Sequence, residues 1–579
     1  MNKHFLTKQW ELLKPDQSTI SDIQKTVPCL PETAAVIANR DITTGSKALK
    51  FLYPSLKSIG TPDNLQDIES AALRIYNALI AKEKILIFGD YDIDGISATA
   101  ILYLFLNKSG AKVEYYTPHR EKEGYGIKPD HIINKAKPGD IRLIITVDCG
   151  INDHLAVEAA NLAGIDIIIT DHHEPSDNLP QALAIINPKR KGCQKDLDFL
   201  AGVGVAFYLL IYLRKYLRQN NYWNQERQEP NLKAYCDLVA LGTVADMVPL
   251  INENRTITKT GLKILSKGKR PGIKALMKIS AIKSGPLHSD DIAFRLAPRL
   301  NAAGRMDHAG LAVELLITED NKKAQRLAST LDQLNKDRRH TQELILNSVE
   351  RRIIDTPDLA EKSCLVFAQP GWKIGVLGIV ASKILEKYNR PVILFGMQDN
   401  LWWGSGRSIP GFNIFKGLNA CSENIIQFGG HKAAAGLKIL PENLAGFIKH
   451  FEEKVSSATR KEDFTAFLKI DYELNFEAVD NRLLDELTLL EPFGISNPEP
   501  VFSSRNIKVF SSTLIAGKHL KMILQQKNIN TPKKLSAIWF NAPTFDPAPD
   551  FFKNIAYKLG WNYWNNSRII QLTIQDARL

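Results

Sequence analysis

Residues 88–95 read Phe88-Gly-Asp-Tyr-Asp-Ile-Asp-Gly95, directly after the apolar run Ile85-Leu-Ile. Three carboxylates, Asp90, Asp92 and Asp94, alternate just past a stretch with the character of a buried parallel strand. The string D-x-D-x-D-G also opens calcium loops of EF-hand type. Those loops need a preceding helix and a bidentate Glu at the twelfth position. Here a strand-like run precedes, and the twelfth position is Ile101, so that reading fails. Simple solvation fits poorly too, because carboxylates this close repel one another unless cations lie among them.

The pattern repeats downstream. The apolar run at 143–147 leads into Thr146-Val-Asp148-Cys-Gly150, and the run at 165–169 into Thr170-Asp171-His172-His173. Residues 97–108 and 154–163 read as the crossover helices between them, which gives a doubly wound α/β sheet. A lone Asp after a strand is usually a helix cap. Three strand ends carrying acids and imidazoles along one sheet edge are better read as a ligand site, since that edge is where open α/β sheets bind ligands. A fourth contributor, Gly242-Thr-Val-Ala-Asp246-Met-Val-Pro249, follows a helical segment and alone would pass for a cap or turn. Carboxylates with imidazole and no thiolate suit manganese or magnesium. Where several carboxylates converge, a pair of divalent ions is expected, able to hold a hydroxide for in-line attack at phosphorus.

The rest of the chain fits a large soluble protein. Its 579 residues exceed what one core supports, so three or four folding units are expected. Hydrophobic residues at 44% and charged residues at 24% exclude disorder as the default. A net charge of +11 and a pI near 9.1 suit a polyanionic partner without proving one. The six cysteines are scattered with no C-x-x-C pair, so neither a zinc ribbon nor a redox motif is indicated, and they fit a reducing compartment. The N-terminal stretch lacks the apolar core of a signal peptide, and no apolar run spans a bilayer. A cytoplasmic, membrane-free protein is expected.

Helix-rich sequence occupies 200–277. A polar helical connector follows at 309–354, interrupted near 318–321, and reads as solvent-exposed. A second α/β unit covers 363–451, with strands expected at 364–367 and 392–395. Short strands from about 467 onward suggest a small barrel such as an OB-fold. The expected division is 1–308, 309–355 as the connecting helix, 356–457 and 458–579.

The Asp171-His172-His173 triplet after the D-x-D and V-D-C-G strands resembles the DHH phosphoesterase superfamily. Further strings are similar to the RecJ exonucleases within it: Tyr116-x-Pro-His-Arg120, Glu123-Gly-Tyr-Gly126, Arg299-Leu-Asn-Ala-Ala-Gly-Arg305, Trp372-x-x-Gly-Val-x-Gly-Ile379, Ser405-Gly-Arg407-Ser408, Gly429-Gly-His431 and Pro492-Phe-Gly-x-x-Asn-Pro-Glu-Pro500. They run from near Leu30 to near Phe502 and are weakest beyond it. The resemblance implies two α/β domains, DHH and DHH-associated, joined by a long helix around a cleft, plus a C-terminal OB-like barrel. It implies two metals, manganese or magnesium, on Asp90, Asp92, Asp94, Asp148, His172 and Asp246, with Asp148 bridging and Asp90 a ligand or a support. His173 would contact the scissile phosphate, and Asp171 would orient its neighbours. Asn301, Arg305 and His431 would line the nucleic-acid path, and Arg120, Ser405 and Arg407 would hold a terminal phosphate.

The implied activity is 5′-to-3′ hydrolysis of single-stranded DNA to 5′-mononucleotides, in recombination and repair. The implied partners are a single-strand-binding protein and a RecQ-type helicase, and the implied state is a monomer. Three rival readings are a DHH-family oligoribonuclease, a cyclic-dinucleotide phosphodiesterase, and a non-catalytic replication scaffold that has lost its ligands. The basic clusters 189–191 and 267–270 read as solvated surface. Of the aromatics Trp539, Phe540, Tyr557, Trp561, Tyr563 and Trp564, most are expected in the barrel core, with base stacking the minority role.

Overall fold

The computed structural model describes residues 8–193, 197–282, 285–527, 531–543, 549–564 and 567–579. The first seven residues of the N-terminal stretch and the side chain of Trp564 lie outside the described set. The chain divides into two compact units. One comprises Leu49–Asp337 with Leu490–Pro498, and the other comprises Met1–Ala48, Arg338–Leu489 and Glu499–Leu579.

The first unit is built on a five-stranded parallel sheet. Its strands are β1 (Lys84–Gly89), β2 (Lys112–Tyr116), β3 (Ile141–Val147), β4 (Asp166–Thr170) and β5 (Ala184–Ile186). Their spatial order is β2-β1-β3-β4-β5. The apolar runs read from the sequence are the central strands β1, β3 and β4, buried on both faces as parallel strands must be. The crossovers are α1 (Ile93–Lys108) and α2 (His154–Leu162).

Helix α1 starts four residues earlier than its apolar run suggests, because Asp92 caps it: its Oδ1 accepts from the backbone N–H of Asp94 at 2.9 Å and of Gly95 at 3.2 Å. Thirteen of its sixteen residues are buried, so it is hydrophobic all round. It packs against α3 (Gly202–Gln219) and α4 (Cys236–Ala245). Helix α5 (Asn252–Leu265) then lies against α4.

The connector is one continuous helix, α6 (Asn321–Asp355), 35 residues long, preceded by a separate short helix, Gly310–Ile317. Its bare solvent-exposed reading is corrected: Ala324, Ala328 and Leu331 join the core of the first unit, and Ile345, Val349 and Ile353 are buried further along. Those positions recur at helical spacing, so one stripe is packed while the rest is polar. The division between the two units falls within this helix.

The second unit contains a mixed five-stranded sheet of β6 (Leu365–Ala368), β7 (Val392–Gln398), β8 (Leu401–Arg407), β9 (Gln427–His431) and β10 (Ala434–Ile439), in the order β9-β10-β8-β7-β6. Strands β6 and β7 are the two that the sequence announces. The others are rich in glycine. Arg407 ends strand β8, and Gly429-Gly-His431 lies in a hairpin of β9 with β10.

Farther along, β11 (Tyr472–Glu473), β12 (Phe502–Ile515), β13 (His519–Gln526), β14 (Lys534–Trp539), β15 (Phe551–Trp564) and β16 (Ser567–Arg578) form a sheet in the order β11-β12-β13-β14-β16-β15. Pairing of β12 with β15 closes five of these strands into a barrel of OB type. Trp539 and Tyr557 lie in its core, whereas Phe540 and Tyr563 are exposed. Gln9–Leu12 forms a parallel pair with Phe467–Ile470. Nothing local in the sequence marks that pairing.

Candidate metal centre and nucleic-acid site

The C-terminal ends of β1, β3 and β4 lie side by side and converge with the end of α4. Asp148 takes a left-handed backbone, φ 60°, just past β3. Non-glycine residues adopt that region rarely, and Asp tolerates it better than most. Gly95 permits the close approach of α1, since a Cβ there would lie 2.6 Å from the Asp90 carbonyl oxygen.

The ligand atoms crowd without bonding. His172 Nε2 stands 3.2 Å from Asp148 Oδ1, 3.7 Å from Asp246 Oδ2 and 4.0 Å from Asp94 Oδ2. Two three-residue groups, Asp90–Asp92–Asp148 and Asp94–His172–Asp246, each bring one donor atom per residue within 4.8 Å of one another. A third group joins Asp148, His172 and His173. Asp90 Oδ1, Asp148 Oδ1, His172 Nε2 and Asp246 Oδ2 are all buried and make no hydrogen bond. Buried polar atoms are almost always satisfied. Four unsatisfied donor atoms converging in one place fit cations of the hard, oxygen-seeking kind.

The electrostatics agree. Burial, followed by repulsion from Asp92, pushes the Asp94 carboxyl up to about 7. Burial and then Asp94 and Asp92 push Asp246 up to about 9. Burial, with neighbouring carboxylates, drives Asp148 and Asp90 well above the usual range. Burial and then His173 hold His172 down at about 3, which leaves it a neutral lone-pair donor. Cations among these groups reverse the penalty on their charged forms.

Asp171 is fully engaged in holding its neighbours. Its Oδ1 accepts from the backbone N–H of His172 at 2.7 Å and of His173 at 3.1 Å, and meets His173 Nδ1 at 2.8 Å. Its Oδ2 accepts from Ile151 N at 3.1 Å. Both oxygens of Asp94 accept from the start of α3, at Gly202 N (2.6 Å) and Val203 N (2.9 Å).

Near the cluster, Arg120 lies over the Tyr91 ring at 5.1 Å, and its charge acts on Asp90. Arg305 acts on Tyr91 in the same way. Asn301 Oδ1 accepts from Ile93 N at 2.9 Å, steadying the start of α1. Ser405, Arg407 and His431 lie in the second unit, on β8 and β9. Arg407 Nη1 reaches Ser405 Oγ at 3.4 Å, and a Cβ on Gly378 would crowd both side chains. His431 is exposed at the end of the hairpin.

One participant escaped the sequence reading. Tyr125 Oη donates to the Asp148 carbonyl at 3.0 Å and stands 3.1 Å from His173 Nδ1. The Glu123-Gly-Tyr-Gly126 string marked its position without revealing its contacts.

Three family models match the chain: DHH family, N-terminal domain, over 84–243; DHHA1 domain over 361–457; and RecJ OB domain over 470–576. The single-stranded-DNA-specific exonuclease RecJ of Escherichia coli is 34% identical, over 99% of each chain. The chain belongs to the RecJ family. The Bacillus subtilis RecJ is 35% identical across 98% of this chain and 70% of its own length. The crystal structure of the Thermus thermophilus RecJ in complex with Mn2+ superposes with a TM-score of 0.83 at 27% identity, covering 99% of this chain and 79% of that one. The same protein is also known with Mg2+. The RecJ likeness continues through the barrel, beyond the point where the motifs thin out.

Proposed function

We propose that this RecJ-family exonuclease hydrolyses single-stranded DNA from its 5′ end and releases 5′-mononucleotides. The observation that carries the reading is the set of four buried, unbonded donor atoms on Asp90, Asp148, His172 and Asp246. Asp90, Asp92 and Asp148 would hold one divalent ion, manganese or magnesium. Asp94, His172 and Asp246 would hold the other, and Asp148 is near enough to His172 to serve both. Bound there, the ions would supply a hydroxide for in-line attack and neutralise charge on the leaving oxygen.

The chain's own groups do the rest. Burial works against the His173 proton, but the bond to Asp171 and the surrounding carboxylates outweigh it and raise the imidazole above its usual range. His173 is also the open one of the two imidazoles, with 47% of its side chain exposed. A protonated imidazole there suits contact with a non-bridging phosphate oxygen. Arg120, Ser405 and Arg407 would hold the terminal phosphate, and Asn301, Arg305 and His431 would line the strand's path. The division 1–308, 309–355, 356–457 and 458–579 assigns catalysis to the first segment and strand binding to the last two. A monomer acting in the cytoplasm, in recombination and repair, with a single-strand-binding protein and a RecQ-type helicase, completes the reading.

The test uses Mn2+, single strands labelled at either end, and Asp148→Ala as control. Mononucleotides released first from the 5′ end, and none from the variant, support the proposal. Release from the 3′ end, or binding without cleavage by both proteins, overturns it.

A further inference from the structure

The string Pro492-Phe-Gly-Ile-Ser-Asn-Pro-Glu-Pro500 has no place in the chemistry above. Yet Leu490–Pro498 belongs to the phosphoesterase unit, while the sequence before and after it belongs to the other unit. Gly494 and Asn497 exchange both backbone hydrogen bonds, at 2.9 and 3.1 Å, which folds the segment into a tight turn with Ser496 at φ 61°. Asn497 is completely buried and locks the turn from within, donating from Nδ2 to the carbonyls of Leu490 (2.9 Å) and Pro492 (2.7 Å).

Its seat is equally specific. Arg255, on α5, is 1% exposed and donates to the Glu491 carbonyl at 3.0 Å and the Pro492 carbonyl at 3.3 Å. Ser289 Oγ donates to the Phe493 carbonyl at 2.6 Å. The tip of the turn reaches the loop after α4, where Leu250 N donates to the Ile495 carbonyl at 2.8 Å. A Cβ on Gly494 would lie 2.7 Å from Leu250 Cδ1, so any larger residue there must displace that side chain.

That loop carries Asp246. Its Oδ2 makes no hydrogen bond, so the main chain on either side bears directly on where it sits. One side is fixed by the helix end, where Asp246 N donates to the Gly242 carbonyl at 2.9 Å. The other side runs through Met247, in the left-handed region at φ 61°, to Leu250 and the turn. Ligand atoms must be placed to within about 0.2 Å for good coordination. We propose that the Leu490–Pro498 turn is a positioning strap that holds the Asp246 loop in register for metal binding. This rests on the reading of Asp246 as a ligand.

The full-length protein tests it through direct Mn2+ binding, with free Mn2+ followed by electron paramagnetic resonance, alongside cleavage at graded Mn2+. Gly494→Val pushes on Leu250, Asn497→Ala unlocks the turn, and Ser289→Ala is a milder variant that removes one anchor. The strap predicts Mn2+ affinity lowered about tenfold in the first two. It also predicts a smaller loss in Ser289→Ala, and cleavage largely restored at saturating Mn2+. Folded variants that bind Mn2+ like the parent, while Asp246→Asn binds it weakly, refute the strap alone. Unchanged Mn2+ affinity in Asp246→Asn refutes the ligand reading on which it rests.

Discussion

Replacing Asp246 with Asn should change how the stability of the metal-free protein responds to pH. Burial and the neighbouring Asp94 and Asp92 push the Asp246 carboxyl from 3.8 up to about 9. Between those values the folded chain keeps a proton that the unfolded chain has released. Such a raised acid costs stability as pH climbs past the unfolded value, until the folded value is passed. One proton corresponds to about 1.4 kcal/mol per pH unit. From pH 5 to pH 7, Asp246 alone removes at most about 3 kcal/mol, since the clustered carboxyls share their protons. Asn cannot titrate, so the variant's stability should fall less steeply over the same interval. Metal binding expels the protons, so with Mn2+ present stability should instead rise with pH. Urea midpoints read by tryptophan fluorescence at pH 5, 6 and 7, in chelator and in Mn2+, measure this. A parental slope in chelator that is flat or rising, or one that Asp246→Asn leaves untouched, refutes the account.

Asp171→Asn removes the charged partner of His173 and should lower the cleavage rate by about 10- to 100-fold, as loss of an orienting carboxylate does at other metal sites. Retention of more than half the parental rate in a steady-state assay contradicts that role. Arg407→Lys keeps the charge but loses the planar fork. The parent should favour 5′-phosphorylated over 5′-hydroxyl strands and the variant should not, measured by competition between the two. Gly95→Ala places a methyl 2.6 Å from the Asp90 carbonyl, and a thermal melt should show destabilisation of about 1–3 kcal/mol.

The parallel sheet and its acidic edge were legible because the signals are local: β-branched runs, each ending in an acid. Asp246 was the weakest of the four contributors to read, since the segment around it alone would pass for an ordinary helix end. The strands β8, β9 and β10 were hidden by glycines, which read as turns when their pairing partners are unknown. The contacts of Tyr125, Asn301 and the Leu490–Pro498 turn depend on neighbours distant in sequence, and no periodicity encodes them. The pairing of Gln9–Leu12 with Phe467–Ile470 is of the same kind.

Two adjacent imidazoles with the same intrinsic basicity end up chemically unlike because burial holds one down and a carboxylate grips the other. Asp171 grips the ring of His173 but touches only the main chain of His172. His173 therefore keeps its proton to higher pH than a free imidazole, while the buried ring of His172, beside that cation, sheds its own at about 3. The pair thus sets a ring that holds its proton more firmly beside one that offers a free lone pair.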